Sequence, residues 1–87
     1  MAVYIIICLN PLDDEALARE IRARNGIKLS NGTYAISQDK ATRLKVALEL
    51  RDSAGLSEAP VVDPYNEKNP LRLNLNDEAK EWIKKHS

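Results

Sequence analysis

The first apolar segment of the chain is continuous rather than alternating. Residues 3–9 read VYIIICL, and the run ends at Asn10. A β-branched run without polar interruption is typical of a strand that is buried on both faces. Alternation along the strand places Tyr4, Ile6 and Cys8 on one side and the odd-numbered residues on the other. Because both sides are apolar, we expect both to be covered.

A helical pattern and a hairpin signal follow this strand. Apolar residues at helical spacing, with Asp13 as a capping residue, predict a helix over about 13–25. Asn31-Gly32 then separates two short runs at 27–30 and 33–37. Asn-Gly is the strongest local signal for a β-hairpin, because both residues tolerate positive φ. The two runs are therefore predicted to be antiparallel strands.

The next segment predicts a second helix and a loop. Asp39 is a candidate cap for a helix that ends near Gly55. Residues 56–70 contain three prolines and are typical of an ordered loop, with a short extended piece at 61–62. The predicted inner face of the helix consists of Ala41, Leu44, Ala47 and Leu48.

The last part of the chain completes the fold. Leucines alternate with polar residues over 71–75, which predicts a half-buried strand, and Asn76 or Asp77 caps a final helix. The inward residues of that helix are Ala79, Trp82 and Ile83. The element order predicts one α+β domain over 1–87, a ferredoxin-like βαββαβ sandwich with an appended C-terminal helix. The expected sheet has four antiparallel strands, with the first and third in the middle.

The second side of the central strand determines the expected assembly. Exposing Tyr4, Ile6 and Tyr34 would cost several kcal/mol in a domain whose total stability is ~5–15 kcal/mol. Two covers are available, a second copy of the chain or the chain's own tail from residue 56 onward. We expect a homodimer to which the tail contributes, with Tyr4, Ile6, Cys8 and Tyr34 at its interface.

Composition and charge exclude several classes of function. Thirteen basic residues balance thirteen acidic ones, so no bulk charge attracts nucleic acid or an acidic membrane. A single cysteine excludes an internal disulfide and a multi-cysteine metal site. The apolar run at 3–9 is shorter than the ~20 residues that span a bilayer, and it lacks the flanks of a signal peptide. The predicted location is cytoplasmic, with no membrane partner.

Candidate chemistry is concentrated where the first strand meets the first helix. Asn10, Asp13 and Asp14 carry oxygens that suit a divalent cation such as Mg²⁺ or Mn²⁺ for phosphodiester cleavage. Helix capping and dipole complementarity are the favoured alternative for the same residues. Cys8 has no cationic neighbour in sequence and is predicted to be a small buried apolar residue.

Basic residues on the two helices are candidates for contact with RNA or DNA phosphates. They are Arg19 and Arg22 on the first helix and Lys40 and Arg43 on the second. The spacings from Glu15 to Arg19 and from Asp39 to Arg43 are also those of solvated i,i+4 ion pairs. Tyr4 and Tyr34 lie on the predicted central strands, where RNA-recognition domains place stacking aromatics, but the chain has no phenylalanine.

Three short motifs resemble those of the small SinR-like proteins, which look like relatives of the ferredoxin-like nuclease subunit of CRISPR spacer acquisition. The motifs are AVYII at 2–6, GTYAIS at 32–37 followed by Asp39-Lys40, and EWIKK at 81–85. The resemblance implies a homodimer that packs through its sheets. It also implies a metal-binding aspartate at the end of the first strand, where this chain has Asn10. An amide is a poorer ligand than a carboxylate for a hard cation, which places the nuclease activity in doubt.

The sequence thus predicts a small homodimeric, nuclease-like domain that binds nucleic acid or protein, with weak or no catalysis. One alternative is a metal-dependent endoribonuclease or endonuclease. Another is a non-enzymatic regulator, a toxin–antitoxin component or a phage-encoded inhibitor that acts by protein contact.

Overall fold

The computed structural model describes residues 2–39, 42–65 and 76–86. In chain order, the elements are β1 (Ala2–Ile7), α1 (Asp14–Ala23), β2 (Ile27–Ser30), β3 (Thr33–Gln38), α2 (Arg43–Ala54), β4 (Val61–Pro64) and α3 (Asp77–His86), with a 3₁₀ turn at Pro11–Asp13. The strands form one sheet in the order β2-β3-β1-β4, and each neighbouring pair is antiparallel. The predicted α+β fold of ferredoxin-like type, with its first and third strands in the middle, is confirmed.

The end of α1 depends on a close approach to the sheet. Asn25 adopts a left-handed conformation with φ 59°, and the Gly26 N–H donates to the Ile21 carbonyl at 2.8 Å. A Cβ on Gly26 would overlap the carbonyl oxygen of Ala35. Only glycine therefore allows the end of α1 to lie directly against the backbone of β3.

The predicted hairpin at Asn31-Gly32 is present. Gly32 alone takes the left-handed position, with φ 75°. The pairing of β2 with β3 is irregular between Lys28 and Ser30, where β2 contains a bulge. Bulges of this kind shorten and twist an edge strand.

α2 begins later than the sequence predicts, and Asp39 is not its cap. Thr42 has an extended backbone, and its Oγ1 accepts a hydrogen bond from the Lys45 N–H at 3.2 Å. The inward face of the helix also differs from the predicted one. The buried residues are Val46, Ala47 and Leu50, whereas Leu44 is 69% exposed.

The fourth strand is a correction to the sequence prediction. The loop predicted over 56–70 contains β4 at Val61–Pro64, which pairs antiparallel with β1. The strand predicted at 71–75 lies outside the described residues. The extended piece predicted at 61–62 belongs to this strand. It was not predicted to join the sheet because its two valines stand between prolines, whereas the leucines at 71–75 alternate regularly.

The two faces of the sheet carry separate apolar clusters. Tyr4 and Ile6 of β1 pack with Tyr34 beneath α1 and α2, and Cys8 packs against the edge of this cluster. Ile6 and Tyr34 are completely buried there within one chain. The sequence predicted a dimer interface at these residues, whereas within one chain their face is the one that the two long helices cover.

The opposite face is covered by α3. Val3 and Ile5 of β1 pack there against Ala79 and Ile83, with Trp82 at the edge of the cluster. The Asn76 side chain caps the helix by accepting from the Ala79 N–H at 2.7 Å. The inward residues predicted for the last helix are confirmed. Of the two covers that the sequence left open, the tail seals this face.

Candidate functional site

Asn10 organises the turn that follows β1. Its Oδ1 accepts a hydrogen bond from the Leu12 N–H at 3.0 Å and so caps the 3₁₀ turn. Its Nδ2 donates to the Ser57 hydroxyl at 3.0 Å. Both polar ends of this amide are therefore used to hold the turn against the loop after α2.

Asp13 stands at the N-cap position of α1, but its side chain makes no capping hydrogen bond. The carboxylate instead accepts from the Ser57 hydroxyl at 2.7 Å and from the Ser57 backbone N–H at 3.1 Å. Ser57 thus links Asn10 and Asp13 to the segment between α2 and β4. No local pattern predicts this contact, because Asp13 and Ser57 are 44 residues apart.

Asp14 has a different partner. Its Oδ1 accepts a hydrogen bond of 2.5 Å from the hydroxyl of Tyr34, whose ring lies in the core. Burial raises the pKa of Tyr34 well above its ordinary value, and the hydrogen bond to Asp14 and the charge of Asp14 raise it further. Tyr34 is therefore a neutral donor that fixes the start of α1 to β3.

These contacts separate the carboxylates that a metal site would bring together. Asp13 is directed to Ser57 and Asp14 to Tyr34, and both interactions are short. Within residues 2–39, 42–65 and 76–86, no group of three or more Asp, Glu, His or Cys side chains is arranged to hold a metal ion. Helix geometry explains this arrangement, because consecutive residues at the start of a helix point about 100° apart.

Cys8 lies beside this turn and is half-buried. Its Sγ is 3.1 Å from the Asn10 carbonyl, which accepts the thiol hydrogen. Burial raises the pKa of the Cys8 thiol, and the charges of Asp14 and Asp13 act in the same direction. The thiol is therefore held in its protonated, weakly nucleophilic form. A cavity of about 350 Å³ adjoins it, between Pro11, Asp14 and Gly32.

Two of the predicted nucleic-acid contacts form ion pairs with carboxylates of the described residues. Arg19 pairs with Glu15 at 3.7 Å, and Arg43 pairs with Asp63 at 3.4 Å. Arg22 makes no ion pair among these residues, and Lys40 lies outside them. The i,i+4 interpretation of Arg19 is confirmed, whereas Arg43 reaches β4 rather than Asp39.

Four exposed apolar side chains that the sequence did not identify lie around the same end of the sheet. Ile7 and Val61 are directly opposite each other on β1 and β4, and both are partly exposed. Leu9 and Leu12 follow in the turn, and Leu12 is 90% exposed. We call these four residues the apolar corner. The exposed position of Val61 beside Ile7 was not predicted, because residues 56–70 were expected to form a loop outside the sheet.

Comparisons with known proteins find no matching family, no matching curated protein and no matching solved structure. Among the described residues, no helix combines the length and the apolar character needed to cross a membrane.

Proposed function

We propose that this chain is a nuclease-like binding module without catalysis at the end of β1, and that it acts as a homodimer joined through the apolar corner. The observation that carries this proposal is the use of the polar residues after β1. Each of them holds a structural contact, while the apolar side chains around them face solvent.

The hydrogen bonds of Asp13 and Asp14 argue against metal-dependent cleavage. A cation would have to displace Ser57 from Asp13 and Tyr34 from Asp14. Hydrogen bonds to charged groups contribute ~1.5–3 kcal/mol each, so that displacement is costly. The third candidate ligand, Asn10, offers a neutral oxygen that already accepts from the backbone.

A protein contact explains the apolar corner better than a nucleic acid does. Its four exposed side chains carry no charge, and Arg19 and Arg43 are already paired with carboxylates. A second copy is the occupant we propose, because a twofold contact sets the same apolar patch against itself. The corner consists of four side chains, far fewer than the roughly 20–30 residues a side of a standard interface, so the dimer is expected to be weak.

Sedimentation velocity from micromolar to millimolar protein concentration tests the dimer. We expect the wild-type mass to rise with concentration, and Leu12→Ser to remain a monomer throughout. Leu44→Ser is the matched control, since Leu44 is also a largely exposed leucine, on α2 and outside the corner. A wild-type protein that stays monomeric, or a Leu44→Ser variant that loses the dimer as Leu12→Ser does, contradicts the proposed interface.

Nuclease activity is tested separately with RNA and DNA substrates in Mg²⁺ or Mn²⁺. We expect no cleavage above the level seen with EDTA, because the carboxylates are engaged by Ser57 and Tyr34. The control is the double variant Asp13→Ala with Asp14→Ala. Metal-dependent cleavage that disappears in this double variant would show that the two residues are catalytic and would refute this part of the proposal.

A further inference from the structure

The chain contains two Asn-Gly dipeptides, Asn25-Gly26 at the end of α1 and Asn31-Gly32 in the hairpin turn between β2 and β3. Asparagine is among the thermolabile residues of proteins, because its side-chain amide can react with the peptide nitrogen that follows it. Glycine has no Cβ to shield that nitrogen, so an asparagine that precedes glycine is especially reactive. Both asparagines are exposed to solvent, so exposure alone does not distinguish the two dipeptides.

The peptide group between Asn25 and Gly26 is held from both sides. The Gly26 N–H donates to the Ile21 carbonyl at 2.8 Å. The Asn25 carbonyl accepts from the Trp82 Nε1–H at 3.1 Å. Gly26 also lies directly against the sheet, where a Cβ would overlap the carbonyl oxygen of Ala35. The Gly26 nitrogen can therefore react only after the end of α1 opens locally.

The peptide group between Asn31 and Gly32 is not held in this way. In the part of the chain that the structure describes, neither the Gly32 N–H nor the Asn31 side chain makes a hydrogen bond. A Cβ at Gly32 would meet no atom of a non-neighbouring residue within 4 Å, so the space around this glycine is open. Its carbonyl is fixed, because it accepts from the Cys8 N–H at 2.8 Å, but its nitrogen is not.

From this contrast we propose that Asn31 is a site of spontaneous deamidation in the folded chain and that the fold protects Asn25. The Gly32 nitrogen attacks Cγ of Asn31, so that a C–N bond forms while the bond from Cγ to Nδ2 breaks. The Gly32 N–H proton leaves with Nδ2 as ammonia, and a succinimide ring remains. Water then adds to one of the two ring carbonyls and opens the ring to aspartate or isoaspartate. The reaction needs no oxidant, reductant or enzyme.

The modification changes the surface where the hairpin turn meets the start of α1. Asn31 and Asp14 line the same cavity of about 350 Å³, so a carboxylate at position 31 adds a second negative charge to that cavity. The isoaspartyl product also places the former side-chain carbon in the backbone and lengthens the turn. We expect the longer turn to loosen the hydrogen bond from the Cys8 N–H to the Gly32 carbonyl.

The test is incubation of the folded wild-type chain in mildly alkaline buffer at physiological temperature, followed by peptide mass spectrometry with electron-transfer fragmentation. Trypsin cleaves after Lys28 and so places the two dipeptides on separate peptides, and a sample digested without incubation gives the background. We expect Asn31 to lose its amide at least about ten times faster than Asn25, because local opening must precede the reaction at Asn25. Both aspartate and isoaspartate should be found at position 31.

The same chain unfolded in guanidinium chloride is the control for the effect of the fold. There the rates at the two sites should differ by less than about threefold, since neither glycine nitrogen is held. Asn31→Gln is the matched variant, because its longer side chain does not close the same ring. It should abolish the modification at position 31 and leave the rate at Asn25 unchanged. Hydrogen exchange at the Cys8 amide should accelerate on incubation of the wild type and not of this variant.

Three results would overturn the proposal. The first is an intact Asn31 in the folded chain over the time in which the unfolded chain is modified there. The others are equal rates at Asn25 and Asn31 in the folded chain, and a difference between the two sites that persists unchanged on unfolding. Asn31 is outside the apolar corner, so a monomeric wild-type protein would refute the dimer and leave this proposal intact.

Discussion

Tyr34 joins the core to the start of the first helix through one hydrogen bond. Its ring is completely buried in the cluster beneath α1 and α2, and its hydroxyl reaches Asp14 at 2.5 Å. The interaction is charge-assisted, because the neutral phenol donates to a carboxylate. Asp14 thus has a structural role, in the position where the sequence also suggested a metal ligand.

The sign of the pH dependence at Tyr34 follows from the direction of its pKa shift. Folding raises the pKa of Tyr34 above its ordinary value of 10.0, so the folded chain retains a proton that the unfolded chain releases. The contribution to stability is complete below that ordinary value and falls as the pH rises above it. The same direction holds for the Cys8 thiol, whose pKa burial also raises.

We predict that Tyr34→Phe lowers the free energy of unfolding by about 1–2 kcal/mol at neutral pH, since it removes a hydrogen bond to a charged group. The variant should also lose less stability than the wild type between neutral pH and pH values above 10.0, because no buried phenol remains to titrate. Urea denaturation across this range measures both effects. Identical alkaline losses in the two proteins would exclude Tyr34 as the titrating group.

At the scale of elements, the start of α2 is determined by Thr42. Its hydroxyl satisfies the Lys45 N–H, one of the donors that a helix leaves free in its first turn. Residues in this turn are exposed, so little packing supports it. The cap is therefore expected to account for much of the stability of this end of the helix.

Thr42→Ala should destabilise the chain by about 1 kcal/mol, the usual effect of removing an N-cap side chain. Thr42→Ser keeps the accepting hydroxyl and is the matched control, with a change of a few tenths of a kcal/mol at most. Amide hydrogen exchange at Lys45 should accelerate in the alanine variant only. Equal exchange rates in both variants would mean that the hydroxyl does not cap the helix.

At the scale of the whole molecule, α3 supplies the second cover that the two-sided β1 strand requires. Val3 and Ile5 are buried by Ala79 and Ile83 of the same chain. The helix is also attached near its middle, where the Trp82 Nε1–H donates to the Asn25 carbonyl at 3.1 Å. Covering this face therefore needs no second copy, and the proposed dimer depends only on the apolar corner.

Ile83→Ala is predicted to cost about 2–4 kcal/mol, because it opens a cavity in the second core cluster. Lys84→Ala on the exposed side of the same helix should change stability by less than about 0.5 kcal/mol. Thermal or urea unfolding at low protein concentration measures the difference. A neutral Ile83→Ala variant would show that α3 does not seal this face in solution.

The candidate site was predictable in its residues but not in its role. The sequence placed Asn10, Asp13 and Asp14 together at the end of β1, and the structure confirms that position. Their partners, Ser57 and Tyr34, are 44 and 20 residues further along the chain. A local pattern of charges contains no information about contacts at that separation, so both a metal site and a structural role remained open.

The sequence by itself determined the order of the elements up to α2, the Asn-Gly turn, the inward residues of α3 and the need to cover both sides of β1. These features depend on neighbours in the chain, through periodicity, turn chemistry and capping. Only the tertiary structure decided that 61–64 form the fourth strand, that Tyr4 and Ile6 face α1 and α2, and that the tail covers Val3 and Ile5. Both sides of β1 are equally apolar, so only the packing of distant elements against them distinguishes one face from the other.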